Sequence, residues 1–326
     1  MKLGTQNPPA LKHAVLNIVC GAALLSGCTA SAQPKLKPET SEPVISTLAI
    51  PFNFTSEWVN VTVTGAHEAN APNLILLPGL ASSSQTWNSV SMDLGKTHKL
   101  HSVDVSGFAG TPTKNAENPE VVDGIVRDVS AYIVANNLQN VTIMGHSLGG
   151  FTALKLAKKL GKNLDQIIIV DALPFYPALF NAAATVAASR PQADQMRAQL
   201  LAMETSIFEQ FQSRSVRIMS KDVPSQKDIL QWSMDTDRKV MGNAIHNLMT
   251  QDMRPQLSEI STNVHVIYAW DAMMGLSQEQ IENKYKSQYK ALPNVEFTRV
   301  DESFHFIMRD QPQAFLSAVQ KVLNSN

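Results

Sequence analysis

The chain has 326 residues, of which 44% are hydrophobic and 17% are charged, so it is long enough to bury a hydrophobic core of its own. With 27 basic and 28 acidic side chains, the formal net charge is −1. Neither a basic stripe nor an acidic tail is present, and this argues against a nucleic-acid-binding protein.

The N-terminal residues have the pattern of a secretory signal. Lys2 and Lys12 precede an apolar stretch at residues 14–25, which is too short to remain in a bilayer as a spanning helix. The stretch ends in Leu25-Ser-Gly-Cys28, which resembles the lipobox of bacterial lipoproteins, where the cysteine is acylated and becomes the new N-terminus. A plain secretory signal, or a buried helix with two chance cysteines, is the alternative.

This resemblance implies three segments and a location. Residues 1–27 would be the signal peptide, residues 28–50 a tether rich in Thr, Ser, Ala and Pro, and residues 51–326 the folded domain. Acyl chains on Cys28 would anchor the protein stably in the bacterial envelope. Thr29 after the cysteine implies the outer membrane, facing the periplasm. The two cysteines, Cys20 and Cys28, both precede the domain, which therefore has neither a disulfide nor a thiolate metal site.

Short apolar runs predict the strands of a parallel sheet. Residues 58–64 alternate apolar and polar side chains, as an early strand does. Continuous apolar runs, typical of strands buried on both faces, follow at residues 74–77, 100–105, 141–144, 167–170, 264–269 and 295–300. Helical patterns lie between them, at residues 120–138, 277–292 and 312–323. The alternation predicts an α/β fold with a mostly parallel central sheet flanked by helices.

Residues 175–254, called the helical insert below, interrupt this alternation with about 80 residues of helical spacing and few strand signals. The insert is rich in methionine and aromatic side chains. These either pack the insert onto the core or line an adaptable acyl pocket, and the spacing is compatible with both.

A serine lies where one predicted strand meets a helix. Gly145-His-Ser-Leu-Gly149 joins the run at residues 141–144 to a helical pattern that begins at once. A nucleophile on such a sharp turn has a strained backbone, and the positions two before and two after it must be small, as Gly145 and Gly149 are. The turn exposes the hydroxyl and directs a helix N-terminus at whatever the serine attacks. Ser147 is therefore the candidate nucleophile.

Further motifs, in the same order, resemble the α/β-hydrolase superfamily. Residues 74–80 are similar to its early strand and oxyanion loop, with Pro-Gly where the family usually has His-Gly. Residues 104–110 are similar to its Asp-x-x-Gly-x-Gly turn, and Phe304-His-Phe306 precedes the last helix as the family's catalytic histidine does. The resemblance implies an α/β-hydrolase fold in which the helical insert forms a cap over the active site.

His305 is the candidate base, because its imidazole can take the serine proton and return it to the leaving group. His146 is set aside because it belongs to the elbow itself. In this fold the acid lies between the serine and the histidine in the chain. Asp271 directly follows the run at residues 264–269 and is the preferred acid. Asp171, at the end of the preceding strand, is the alternative, whereas Asp252 and Asp301 are less favoured.

The oxyanion formed during attack needs donors already in place, and the backbone N–H groups of Leu80 and Leu148 are the candidates. The resemblance thus implies a serine hydrolase that cleaves a small carboxylic ester or lactone through an acyl-enzyme, with no cofactor and no metal. A serine at the elbow argues against epoxide hydrolases and haloalkane dehalogenases, which use an aspartate. A perhydrolase or carbon–carbon bond hydrolase with the same triad stays open, as does a non-catalytic, lipid-anchored ligand-binding protein.

Overall fold

The structure is a computed structural model that describes residues 53–68 and 70–325. The predicted signal peptide (1–27), the lipidation site Cys28 and the tether up to residue 50 lie outside the described residues. None of the helices in the described part of the chain combines the length and the apolar character needed to cross a membrane.

A single eight-stranded sheet forms the centre of the described residues. In chain order its strands are β1 (Asn53–Thr55), β2 (Val59–Gly65), β3 (Asn73–Leu77), β4 (Lys99–Val105), β5 (Val141–His146), β6 (Gln166–Val170), β7 (Asn263–Trp270) and β8 (Val295–Asp301). Their spatial order is β1-β2-β4-β3-β5-β6-β7-β8. The pairs β1–β2 and β2–β4 are antiparallel. The five remaining pairs, from β4–β3 to β7–β8 in this spatial order, are parallel. The predicted mostly parallel sheet is confirmed, and only β1 has no counterpart among the predicted strands.

Helices cover both faces of the sheet. They are α1 (Asn88–Leu94), α2 (Val121–Ala135), α3 (Leu148–Leu160), α4 (Val186–Ala202), α5 (Thr205–Met219), α6 (Val223–Met234), α7 (Arg238–Thr250), α8 (Gln278–Gln288), α9 (Ile307–Asp310) and α10 (Pro312–Leu323). Successive residues of a strand point to opposite faces of the sheet, as β3 shows. Ile75 and Leu77 pack in the core with α2, α3 and α8, whereas Leu74 and Leu76 pack in the core with α1 and α10. Burial on both faces explains why β3, β5 and β6 read as continuous apolar runs.

Helices α4 to α7 make up most of the helical insert, between β6 and β7. Met196, Phe208 and Met249 are buried in a small core of the insert that also includes Ala81 from the loop after β3. Phe211 and Met219 instead line a cavity between the insert and the sheet. Some of these side chains thus pack within the insert, whereas others line the cavity.

Candidate active site

The backbone at Ser147 has the strained conformation that the sequence predicts. Ser147 lies between β5 and α3 with φ 53° and ψ −116°, a region that residues other than glycine rarely adopt. Its N–H donates to the carbonyl of Val170 at 2.9 Å. A Cβ at Gly145 would lie 2.2 Å from the carbonyl oxygen of Gly149, and one at Gly149 would lie 2.4 Å from that of Leu77. Both positions must therefore be glycine for this turn to form.

His305 lies in the loop between β8 and α9 and lines the same cavity as Ser147. Its Nδ1 is 2.7 Å from Oδ2 of Asp171, the first residue after β6. Because Nδ1 is bound to the carboxylate, Nε2 is the ring nitrogen left to exchange a proton. The structure thus brings an elbow serine, an imidazole and a buried carboxylate to one cavity.

Asp171 accepts two further hydrogen bonds at its other oxygen. Oδ1 is 3.0 Å from the backbone nitrogen of Ala269 and 2.8 Å from the hydroxyl of Tyr285 on α8. Burial alone would raise the pKa of Asp171, but the bonds from His305, Ala269 and Tyr285 outweigh it and hold the pKa below its ordinary value. The carboxylate is therefore ionised at neutral pH and able to stabilise an imidazolium.

Asp271, the acid preferred from the sequence, does not contact His305. Its Oδ2 is 2.6 Å from Nζ of Lys221, and its Oδ1 accepts from the backbone N–H of Met273 at 2.8 Å, where it caps a short 3-10 turn. This placement corrects the prediction of Asp271: Asp171, the alternative, occupies the place beside the imidazole. The reason is that the fold brings the ring of His305 to Asp171 at the end of β6, whereas Asp271 bonds Lys221 and Met273.

The remaining two aspartates considered from the sequence have other partners. Asp252 forms an ion pair with Arg254, with 2.7 Å between the nitrogen and the oxygen. Asp301 pairs in the same way with Arg299, on its own strand β8. Neither carboxylate is among the residues that line the cavity.

The backbone N–H groups of Leu80 and Leu148 belong to residues in the cavity wall, as an oxyanion site requires. Leu148 is the first residue of α3, Leu80 follows Gly79, and both line the cavity. Neither amide donates a hydrogen bond to another described residue. The loop of Leu80 is held by Ser84, whose backbone nitrogen and hydroxyl donate to Asp104 at 2.7 and 3.0 Å. Nearby, the hydroxyls of Ser82 and Ser83 form hydrogen bonds within the same loop, to the carbonyl of Leu80 and from the N–H of Gln85.

His146 proves to be part of the site, which its position in the elbow motif does not predict. Its ring centroid is 4.5 Å from that of His305, and its Nε2 is 2.9 Å from the backbone oxygen of His305. A carbonyl only accepts, so Nε2 of His146 carries the proton. Nδ1 is then unprotonated, and no described residue forms a hydrogen bond with it. Burial, followed by the charge of His305, lowers the pKa of His146 to about 3. His146 is thus a neutral donor that braces the backbone of the base.

The loop of His305 is also tied to the helical insert through Asp310. Oδ1 of Asp310 accepts from the hydroxyl of Ser220 at 2.5 Å and from the N–H of Lys221 at 2.9 Å. Its Oδ2 accepts from the N–H of Phe304 at 2.8 Å, within the His305 loop itself. One carboxylate therefore joins the turn between α5 and α6 to the segment that carries the imidazole. No local sequence signal marks Asp310, because its partners lie up to 90 residues away in the chain.

The cavity at this site has a volume of about 340 Å³, which suits a small molecule. Its walls come from the elbow, the oxyanion loop, α8 and the helical insert, and most lining side chains are apolar. Its basic side chains, besides the two histidines, are Arg217 on α5 and Lys284 on α8. Within residues 53–68 and 70–325, no cluster of three or more His, Cys, Asp or Glu side chains could hold a metal ion.

Comparison with known proteins agrees with the fold described above. Residues 74–318 match the family model described as "Alpha/beta hydrolase family". A "Putative esterase/lipase" of Haemophilus influenzae is 22% identical over 263 residues, covering 79% of this chain and 85% of that protein. The "N-formylmaleamate deformylase" of Pseudomonas putida is 30% identical over 98 residues, but the match spans only 30% of this chain and 36% of the deformylase.

Among solved structures, a hydrolase from Pseudomonas aeruginosa PA01 superposes with a TM-score of 0.69 at 17% identity, covering 85% of this chain and 99% of that one. At this identity the likeness establishes the fold. It agrees with the α/β-hydrolase fold expected from the motifs.

Proposed function

Since the chain belongs to the alpha/beta hydrolase family and is a hydrolase, we propose that it cleaves a small carboxylic ester or lactone through an acyl-enzyme on Ser147. The observation that carries this proposal is the 2.7 Å contact between His305 Nδ1 and Asp171 Oδ2, in the cavity that Ser147 lines. It leaves the other imidazole nitrogen available to the serine hydroxyl. The names of the curated relatives, which include an esterase/lipase, agree with this class of reaction.

In the proposed reaction, Nε2 of His305 takes the proton of the Ser147 hydroxyl as the oxygen attacks the carbonyl carbon. The N–H groups of Leu80 and Leu148 stabilise the oxyanion, and each such donor contributes on the order of 3 kcal/mol to lowering the barrier. The imidazolium, stabilised by Asp171, then gives its proton to the leaving alcohol. Water repeats the same steps on the acyl-enzyme and releases the acid.

The first test is the substitution Ser147→Ala, assayed on p-nitrophenyl acetate and butyrate. Activity should be abolished while the circular dichroism spectrum and melting temperature persist, and a fluorophosphonate probe should label only the parent. Ser233→Ala is a matched control, because Ser233 also lines the cavity but lies on α6 of the insert. A Ser147→Ala variant within about tenfold of the parent activity would contradict the assignment of the nucleophile.

The alternatives from the sequence use the same residues differently. A perhydrolase or a carbon–carbon bond hydrolase would share the triad, and no contact in the cavity favours either. A non-catalytic binding protein would have no need of a strained serine beside a hydrogen-bonded imidazole and carboxylate. Labelling by the fluorophosphonate probe separates this last alternative from the proposed hydrolase.

We also propose that the mature protein is anchored in the bacterial envelope by lipid on Cys28. The support is the sequence Leu25-Ser-Gly-Cys28 at the end of an apolar stretch. In a Gram-negative host, the parent should incorporate radiolabelled palmitate and fractionate with membranes. Cys28→Ala should lose the label, and an unlabelled parent would refute the anchor.

A further inference from the structure

Lys284 lies in the wall of the catalytic cavity and carries an ammonium group. It lies on α8, is half-buried, and lines the same cavity as Ser147. Its Nζ donates one hydrogen bond, to the backbone carbonyl of Leu179 at 2.8 Å. An ammonium has three N–H donors, so this bond leaves two of them unused. In the described part of the chain no carboxylate lies within ion-pair distance of Nζ.

This placement differs from that of other lysines whose side chains are partly covered. Lys155, with 19% of its side chain exposed, pairs with Asp123, and Lys221 pairs with Asp271. At Lys284, by contrast, burial lowers the pKa of the ammonium, and no nearby carboxylate opposes this effect. An unpaired, partly desolvated charge costs free energy, and such groups concentrate at functional sites.

The charges around the cavity indicate what Lys284 could bind. Asp171 is the carboxylate among the lining residues, and its oxygens are already taken by His305, Tyr285 and a backbone N–H. Lys284 therefore carries a positive charge that no lining carboxylate pairs with. Around Lys284 the lining includes the apolar side chains of Leu179, Leu276 and Ile281.

We propose that Lys284 is a subsite for a carboxylate carried by the substrate, so that the preferred esters are monoesters of dicarboxylic acids. The proposal rests on the proposed function and deepens it. A single ammonium among apolar side chains matches one carboxylate at the end of an aliphatic chain, whereas a phosphate would call for several converging donors. Arg217 is less suited, because its side chain is exposed and solvent competes for it.

The subsite is connected to the triad through one helix. Tyr285, the next residue on α8, donates its hydroxyl to Asp171 at 2.8 Å. Helix α8 thus carries the ammonium of Lys284 and also holds Asp171. A substrate bound at both places would have its ester carbonyl and its remote carboxylate at a fixed separation. We therefore expect a preferred chain length, which a graded series of diacids will reveal.

The test compares monomethyl with dimethyl esters of the diacids from succinic to suberic acid. Methylating the free carboxylate removes the charge and leaves the chain unchanged. The parent should prefer the monoester at one or two chain lengths, and Lys284→Met should reduce kcat/KM for those monoesters by at least about tenfold, the size expected for a lost hydrogen bond to a charged group. Values for the dimethyl esters should change by less than about threefold, and Lys284→Arg should restore part of the preference.

Lys290→Met is the matched control, since Lys290 is exposed, follows α8 and does not line the cavity. It should leave the ratio of the two ester types unchanged. Three results would overturn the proposal: a parent without preference for monoesters, an unchanged ratio in Lys284→Met, or a loss that follows Arg217→Met instead. An unchanged ratio with a lower melting temperature would show that Lys284 only caps the carbonyl of Leu179.

Calorimetric titration of Ser147→Ala with the free diacid separates this inference from the proposed function. The diacid should bind, and Lys284→Met in the same background should weaken the binding by about tenfold or more. If the parent hydrolyses no ester but the diacid still binds in a Lys284-dependent way, the proposed function fails and the subsite stands. If the esters are hydrolysed but the diacid does not bind through Lys284, the subsite fails and the proposed function stands.

Discussion

Replacing Asp171 by asparagine tests which carboxylate orients the imidazole. The substitution keeps the shape of the side chain but makes one of its two polar ends a donor. At Oδ1 the side chain accepts from Ala269 N–H and from the Tyr285 hydroxyl, and the backbone N–H can only donate. The carbonyl oxygen of the introduced amide must therefore stay at Oδ1, and its NH₂ group must face Nδ1 of His305, where the carboxylate oxygen now lies at 2.7 Å.

An NH₂ group at that place forces the wrong tautomer on His305. Nδ1 must become the acceptor, and the ring proton then moves to Nε2, which can no longer take the proton of Ser147. In serine-protease triads the same substitution lowers kcat about 10⁴-fold, which corresponds to about 5.5 kcal/mol of barrier. We expect a loss of this order in kcat for Asp171→Asn, with a smaller change in KM.

Asp271→Asn is the matched comparison, since it makes the same chemical change one strand further along the sheet. Asp271 pairs with Lys221, whose side chain is 39% exposed, so the lost ion pair should cost at most about 1 kcal/mol of stability. Both variants are assayed on p-nitrophenyl butyrate, after circular dichroism shows that each is folded. Asp271→Asn should keep kcat within about threefold of the parent. A larger loss in Asp271→Asn than in Asp171→Asn would refute the assignment of the acid.

Three further substitutions test the supports of the triad. Tyr285→Phe removes one donor from Asp171 and should lower kcat about tenfold, as stopped-flow or steady-state assays will show; an unchanged kcat would contradict this support. The pKa of His146 in the folded protein is about 3. Between about pH 3 and 6.5 the unfolded chain therefore binds more protons at this residue than the folded protein does. The free energy of unfolding should decrease as the pH is lowered through this range, by up to about 1.4 kcal/mol per pH unit. In urea unfolding at pH 5 and 7, the free energy of unfolding of His146→Phe should depend less on pH than that of the parent. An equal dependence in both proteins would contradict the lowered pKa of His146. Asp310→Asn should lower kcat about tenfold with little change in KM, because it loosens the His305 loop from Ser220; a change in KM alone would indicate a role in substrate binding instead.

The elbow could be predicted from the sequence because its constraint is local. Two glycines at fixed spacing around a serine, between an apolar run and a helical pattern, are needed because any Cβ there would collide with neighbouring backbone. Most of the strands were predictable for the same reason, since burial on both faces shows as continuous apolar runs. Strand β1 has three residues, too few for a periodicity to appear.

The choice between Asp171 and Asp271 could not be made from local patterns. Both aspartates directly follow parallel strands, β6 and β7, whose carboxyl ends lie at the same edge of the sheet. What separates them is the set of donors that the folded chain brings to Asp171. These are the N–H of Ala269, 98 residues away, the hydroxyl of Tyr285 and the ring of His305. No pairing across such distances shows in the local sequence.

The two aspartates nevertheless contribute to the same arrangement from different sides. Asp171 holds the imidazole ring, whereas Asp271 holds Lys221, in the turn between α5 and α6 of the insert. That turn is also bound by Asp310, whose other oxygen fixes the loop of His305. The helical insert therefore does more than cover the cavity, because its contacts with the His305 loop constrain where the imidazole can lie. Substitutions in the insert that break the contacts of Asp310 with this turn should consequently also change kcat, whereas loss of the partly exposed Lys221–Asp271 pair should leave kcat nearly unchanged.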